Sequence, residues 1–199
     1  MNILHSIKRG FTIIELMVAV SLFAVVSTAA LAGVLNAQNL AKRAQGAQAV
    51  FDNLNFAVEN MSRLVKVGRN YHCDRTALPV TTPRDCAGTP ADSFVFAGSD
   101  GKFYMYARQT DSSGAGFIVR ADCPGTVASP CSPNISNGLP ITTTTEVDVK
   151  KMSFYVSGSG FGDTVSTWIL LLIGGTASTT GGPIDFNLQT TLTQRHLEN

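Results

Sequence analysis

The stretch Lys8-Arg9-Gly10-Phe11-Thr12-Ile13-Ile14-Glu15-Leu16-Met17-Val18-Ala19-Val20 decides the architecture of this chain. Two cations precede an apolar run, an arrangement that holds that end in the cytoplasm. Gly10 stands at the junction, where an enzyme can approach the backbone closely. Glu15 then places a lone carboxylate inside the apolar segment. An ionisable group at membrane depth costs roughly 2.5 kcal/mol or more unless it has a partner, which makes Glu15 a functional-site candidate. Residues 16–35 carry no charge, and Lys42 is the first basic residue after Arg9. About twenty residues at ~1.5 Å rise span ~30 Å, the hydrocarbon thickness of a bilayer.

Beyond the apolar run the pattern becomes amphipathic. Ala47, Val50, Phe51, Leu54, Val58, Met61 and Leu64 or Val65 recur at steps of three and four, one stripe of a helix, while Asp52, Asn53, Asn55, Glu59, Asn60, Arg63 and Lys66 occupy the other face. Gly68 is placed as a C-terminal stop. The expected helix covers residues 11–67, ~85 Å at the standard rise. Small residues such as Ala24, Ser27, Ala29, Ala32 and Gly33 punctuate its front half and allow close approach of other helices. The same composition also suits an unremarkable membrane anchor.

After residue 68 short aromatic or β-branched runs alternate with Gly, Ser and Asp. Residues 93–97, 102–108 and 116–121 form one group, and 147–156, 167–173 and 184–192 a second. Phe103, Met105 and Ala107 alternate with Tyr104, Tyr106 and Arg108, which reads as a half-buried strand. The run 168–173 is too short to span a membrane and reads as a buried central strand. Gly158-Ser159-Gly160-Phe161-Gly162 reads as a hairpin turn. The predicted class is α+β: a long helix packed on an antiparallel β-sheet head. Its predicted organisation is a leader (1–10), a membrane-spanning and assembly helix (11–35), an amphipathic continuation (36–68) and a β-rich head (69–199).

Composition narrows the chemistry. Charged residues make up 15% and hydrophobic residues 44% of 199 positions, which excludes wholesale disorder. Residues 11–199 carry 13 basic and 14 acidic side chains, so no global footprint for nucleic acid exists. Arg63, Lys66 and Arg69 cluster near the helix end, where a solvated face and a DNA contact are the competing readings. Three histidines, two of them at His5 and His196, and the lack of G-x-S-x-G, H-E-x-x-H or Walker patterns leave no enzyme constellation. No cofactor is expected. Asp92, Asp100, Asp111 and Asp163 lie in loops where calcium or plain solvation would suit them. Cys73, Cys86, Cys123 and Cys131 all lie in the head, an even number that reads as disulfides in an exported domain. Of three connectivities, Cys73–Cys86 and Cys123–Cys131 are favoured, because each joins sequence neighbours across a Pro-containing loop. A zinc site on His72 and Cys73 is the sharper alternative, without C-x-x-C spacing to support it.

The N-terminal stretch resembles the class III signal of type IV pilins and type II secretion pseudopilins. The resemblance implies a prepilin peptidase that cuts after Gly10 and methylates Phe11, the new N-terminus. It makes Glu15 the fifth residue of the mature chain, the position thought in that family to neutralise the amino-terminal charge of a neighbouring subunit. The partners it implies are other pilin or pseudopilin subunits, the peptidase, the inner membrane and its assembly platform, with DNA only for an uptake pilin. The head would lie in the periplasm or outside the cell, and then in a filament. Residues 149–156 and 186–195 look like the last strands of minor pilins and J-type minor pseudopilins, a looser similarity that points to a minor subunit. Tip subunits of type II systems usually lack the glutamate, so Glu15 argues against that slot. Many pilins have a mid-helix proline; this helix has none.

Two other classes stay open on sequence: a pilin-type binding module for DNA or surfaces, and a secreted protein. Ala30-Leu31-Ala32 forms an A-x-A site after the apolar stretch, as a cleaved signal peptide would. An ordinary signal anchor shares the charges and length but gains nothing from Glu15. Lys42 and Arg43 balance Lys8 and Arg9, so counting cations does not set the orientation.

Overall fold

In the computed structural model the described residues are 10–74, 82–126, 128–160, 165–179 and 182–195. The leader cations, His5, His196, Asp163 and the second half of the expected 158–162 turn lie outside them. The chain divides into two compact units, one through Lys42 and one from Arg43 to Asn199. Helix α1 runs Ile13–Val65, 53 residues. Gly33 lies within it with open space where a Cβ would stand, so the glycine is not there to admit a neighbour in this chain.

In the second unit α1 buries Val50, Leu54, Ala57, Met61 and Val65. Steps of four and three keep these on one face. Phe51, expected in the stripe, is instead 51% exposed, and Ala57 is fully buried. A one-residue step rotates ~100° around a helix, so Phe51 cannot share the centre of the face with Val50. The helix ends without a left-handed glycine. Gly68 has no positive φ; a Cβ there would stand 2.6 Å from the Phe96 ring, so close packing is what requires glycine. The last carbonyls find tertiary donors. The Tyr71 hydroxyl lies 2.6 Å from Val65 O and 2.7 Å from Gly68 O, and Arg195 N–H donates to Lys66 O at 3.0 Å. These contacts meet the need that every helix C-terminus leaves behind.

Every pairing between the strands of the head is antiparallel, and the strands divide into two sheets. The first holds β1 (Arg69–Cys73), β2 (Ser93–Ala97), β3 (Lys102–Thr110), β4 (Gly116–Pro124) and the two-residue β5 (Leu139–Pro140), in sequential order. The second holds β6 (Val147–Ser157), β7 (Trp168–Ala177) and β8 (Ile184–Thr193), with β7 central as expected. A register shift between Val149 and Lys151 switches the inward alternation of β6 from Val147 and Val149 to Met152, Phe154 and Val156.

Tyr71, Phe94, Phe96, Tyr104, Tyr106 and Phe154 stack with centroids 5.3–6.3 Å apart and fill the space against the helix stripe and the second sheet. The opposite face of the first sheet is buried too: Val95, Ala97, Phe103, Met105 and Ala121 form a second core under Cys123, Cys131 and Ile135. Strand β3 is therefore buried on both faces rather than half-buried. Its alternation reads two different cores, because the loop after β4 folds over the back of the sheet.

Cys73 is bonded to Cys86 and Cys123 to Cys131, with Cα separations of 5.9 and 6.2 Å. The first bond holds the segment that joins the two sheets: Cys86 N–H donates to Val156 O at 2.9 Å, and Ala91 exchanges backbone hydrogen bonds with Phe154 at 2.8 and 3.0 Å.

Candidate assembly site at the start of the helix

Gly10 and Phe11 precede α1, and Phe11 is 83% exposed. Thr12 caps the helix. Its Oγ1 accepts from Glu15 N–H at 3.3 Å, and its carbonyl accepts from Leu16 N–H at 3.2 Å. Thr12-Ile13-Ile14-Glu15 is thus the T-x-x-E pattern of a capping box. Reading the sequence for membrane charge missed this local reason for a carboxylate three residues after Thr12. A carboxylate in the first turn also faces the positive end of the helix macrodipole. Glu15 is exposed and forms no ion pair among the described residues. Gly10 and Phe11 therefore directly precede the capped first turn in which Glu15 stands.

Every residue from 10 to 42 is exposed except Ser27, which is half-buried. Ile13 is 81% and Phe23 74% exposed. Side chains of this kind in a continuous run are unsuited to water and mark a surface for lipid or another protein. α1 is long and apolar enough to cross a membrane. Two hydroxyls inside the apolar run are internally satisfied: Ser21 donates to Val18 O and Thr28 to Val25 O, each at 2.9 Å. Glu15 is thus the only ionisable group between Gly10 and Leu40.

Several polar groups in the head are occupied with structure. Asp111 accepts from Ser113 N–H at 2.8 Å and Ala115 N–H at 3.1 Å, capping the β3–β4 turn; the Ser113 hydroxyl contributes most to holding its carboxyl below the ordinary range. Asp100 accepts from the Tyr104 hydroxyl at 2.5 Å. Burial first, and that carboxylate second, push the Tyr104 phenol up to about 12. Burial likewise raises Tyr106. His72 is buried with Nδ1 2.9 Å from Thr82 O, while Cys73 beside it is committed to its disulfide, which removes the thiolate that the zinc alternative needs. Among the described residues no group of three His, Cys, Asp or Glu side chains converges. Arg63 pairs with Glu59 at 2.9 Å on an exposed face.

No curated protein and no solved structure matches the chain. Residues 6–31, which contain Gly10, Phe11 and Glu15, match the family model of the prokaryotic N-terminal methylation motif. Across residues 6–31, which include the start of a helix apolar and long enough to cross a membrane, the chain carries the N-terminal signature of type IV pilins and pseudopilins.

Proposed function

We propose that this chain is a minor pilin-like structural subunit of a type IV pilus or type II secretion pseudopilus. On this reading the leader 1–10 is removed after Gly10, Phe11 is N-methylated, and residues 11–35 hold the protein in the inner membrane as a single pass. The amphipathic residues 36–68 carry the head, 69–199, on the outer side. Other subunits, the peptidase and an inner-membrane assembly platform are its partners, and its work is mechanical.

The observation that carries the reading is one carboxylate in the otherwise charge-free and almost wholly exposed apolar stretch 11–40, five positions after a glycine that follows two cations. An α-ammonium and a carboxylate brought together where water is scarce remove two unpaired charges at once. Glu15 of one subunit facing Phe11 of the next would set axial register, and the apolar faces would supply cohesion. The similarity of the final strands to minor subunits supports the minor assignment.

The capping geometry makes the test specific. Glu15→Gln keeps a side chain that serves a capping box but loses the charge; Glu15→Val loses both. Both variants are expected at wild-type levels in the membrane and reduced at least tenfold in the sheared filament fraction, measured by immunoblot. If Glu15→Gln enters filaments like wild type, Glu15 works as a helix cap and its charge-pairing role is wrong.

A further inference from the structure

A pocket of about 180 Å³ opens between the outer side of α1 and β4, lined by Phe56, Glu59, Asn60, Arg63, Leu64 and Arg120. Arg120 lies on the helix-facing side of the first sheet, opposite Tyr106 in the β3–β4 register. Its guanidinium carbon is 5.9 Å from the Tyr104 ring centroid. Its Nη1 donates to Asn60 Oδ1 at 3.3 Å, and the Tyr106 hydroxyl donates to the same oxygen at 2.9 Å. Both lone-pair directions of that amide oxygen are used, which fixes Asn60 with its NH₂ group away from Tyr106.

Arg120 Nε is different. It is buried and has no acceptor. No carboxylate pairs with Arg120 among the described residues. The Tyr104 face, the Asn60 amide oxygen and the Tyr106 hydroxyl beside it leave a permanently charged fork without an anion. Arg63 adds a second cation at the rim, already held by Glu59 at 2.9 Å. Phe56, 64% exposed, and Leu64 line the pocket with apolar surface. At about 30 Å³ per water-sized group the volume holds roughly six of them, enough for a carboxylate on a stem of two or three carbons. A phosphate would leave the apolar wall uncovered, and a purely apolar group would leave the guanidinium without an anion.

We propose that this pocket receives the carboxylate of an aspartate or glutamate side chain from a neighbouring subunit, with Arg120 as the anchoring cation. That the carboxylate comes from a subunit rests on the filament reading; that the pocket selects a carboxylate does not. A protein side chain fits better than a free acid because the pocket opens beside Phe56, an exposed aromatic that a small acid would leave in water.

Two measurements decide it. The full chain, ¹⁵N-labelled in detergent micelles, is titrated with glutarate and with uncharged glutaramide at constant ionic strength, reading the Arg120 Nε–H resonance assigned by its loss in Arg120→Lys. A saturable shift with glutarate alone is expected, with the Asn60 amide shift at least tenfold weaker in Arg120→Gln. No shift, or equal shifts with both probes, overturns the pocket. In native membranes and filaments, Arg120→Lys is then treated with a water-soluble carbodiimide and mapped by mass spectrometry. An amide from position 120 to an Asp or Glu of a different chain is expected; only intrachain links, or none, overturn the subunit as donor. N-methylation of Phe11 read in the same digest separates that failure from failure of the filament reading, while the titration judges the pocket either way.

Discussion

Gly68 shows what a single position decides. Its place after a helical stripe was readable as a stop, but the reason for glycine was not, because the crowding atom belongs to Phe96, 28 residues away. Gly68→Ala is expected to destabilise the head by about 1–3 kcal/mol, measured by denaturant unfolding, since the ring is fully buried and the Ala97 carbonyl closes the other side at 3.3 Å. Asp148 gives a prediction with a sign. Its carboxyl is held below the ordinary range chiefly by Lys150, and next by Gly116 N–H, which donates at 2.8 Å and ties β6 to β4. A depressed folded value means this contribution is present above the unfolded value of about 3.9 and is lost as pH falls below it. Asp148→Asn should therefore lose less stability between pH 5 and pH 2.5 than wild type, read as denaturation midpoints; equal losses would remove Asp148 from the account. Glu15 and Gly10 were legible as local motif residues. Thr12 was equally legible through the T-x-x-E spacing, which a search for membrane charge passes over.

At the scale of elements, local periodicity was a good guide and long-range partition was not. The helix and six of the strands follow from spacing that adjacent residues carry. Strand β1 was missed: Asn70 adopts φ 55° just after the helix, and five residues so placed lack an alternation to read. Division of the head into two sheets depends on the Cys86–Ala91 segment reaching the edge of β6 and on the bulge at 149–151, neither of which has a local signature. The disulfides act at this scale. Closing loops with separations of 13 and 8 residues should contribute ~2–3 kcal/mol each on the chain-entropy account. Replacing Cys123 and Cys131 by serine should lower stability by about that amount and in addition expose Phe103 and Met105, measured as increased hydrogen exchange in β3 with β7 unaffected. Replacing Cys73 and Cys86 should instead raise exchange at Val156 and Phe154. Identical exchange maps for the two double variants would contradict the two-core description.

For the whole molecule, the two compact units differ in what solvent they demand. From residue 10 to 42 almost every residue is exposed and most are apolar; from Arg43 onward two clusters of apolar side chains are buried among the described residues. A chain beginning at Arg43 is expected to be a soluble monomer that unfolds cooperatively with the ordinary 5–15 kcal/mol of a single domain, by sedimentation and denaturant melt. The full chain is expected to require detergent. Aggregation or non-cooperative melting of the shorter chain would mean that the head depends on the front helix. The central claim, that this is a processed filament subunit, is tested most directly by intact-mass and N-terminal peptide analysis of the protein from its native membrane. The account predicts a chain that begins at N-methylated Phe11. A chain that begins at Gly33, or still carries Met1 where the peptidase is present, would contradict it.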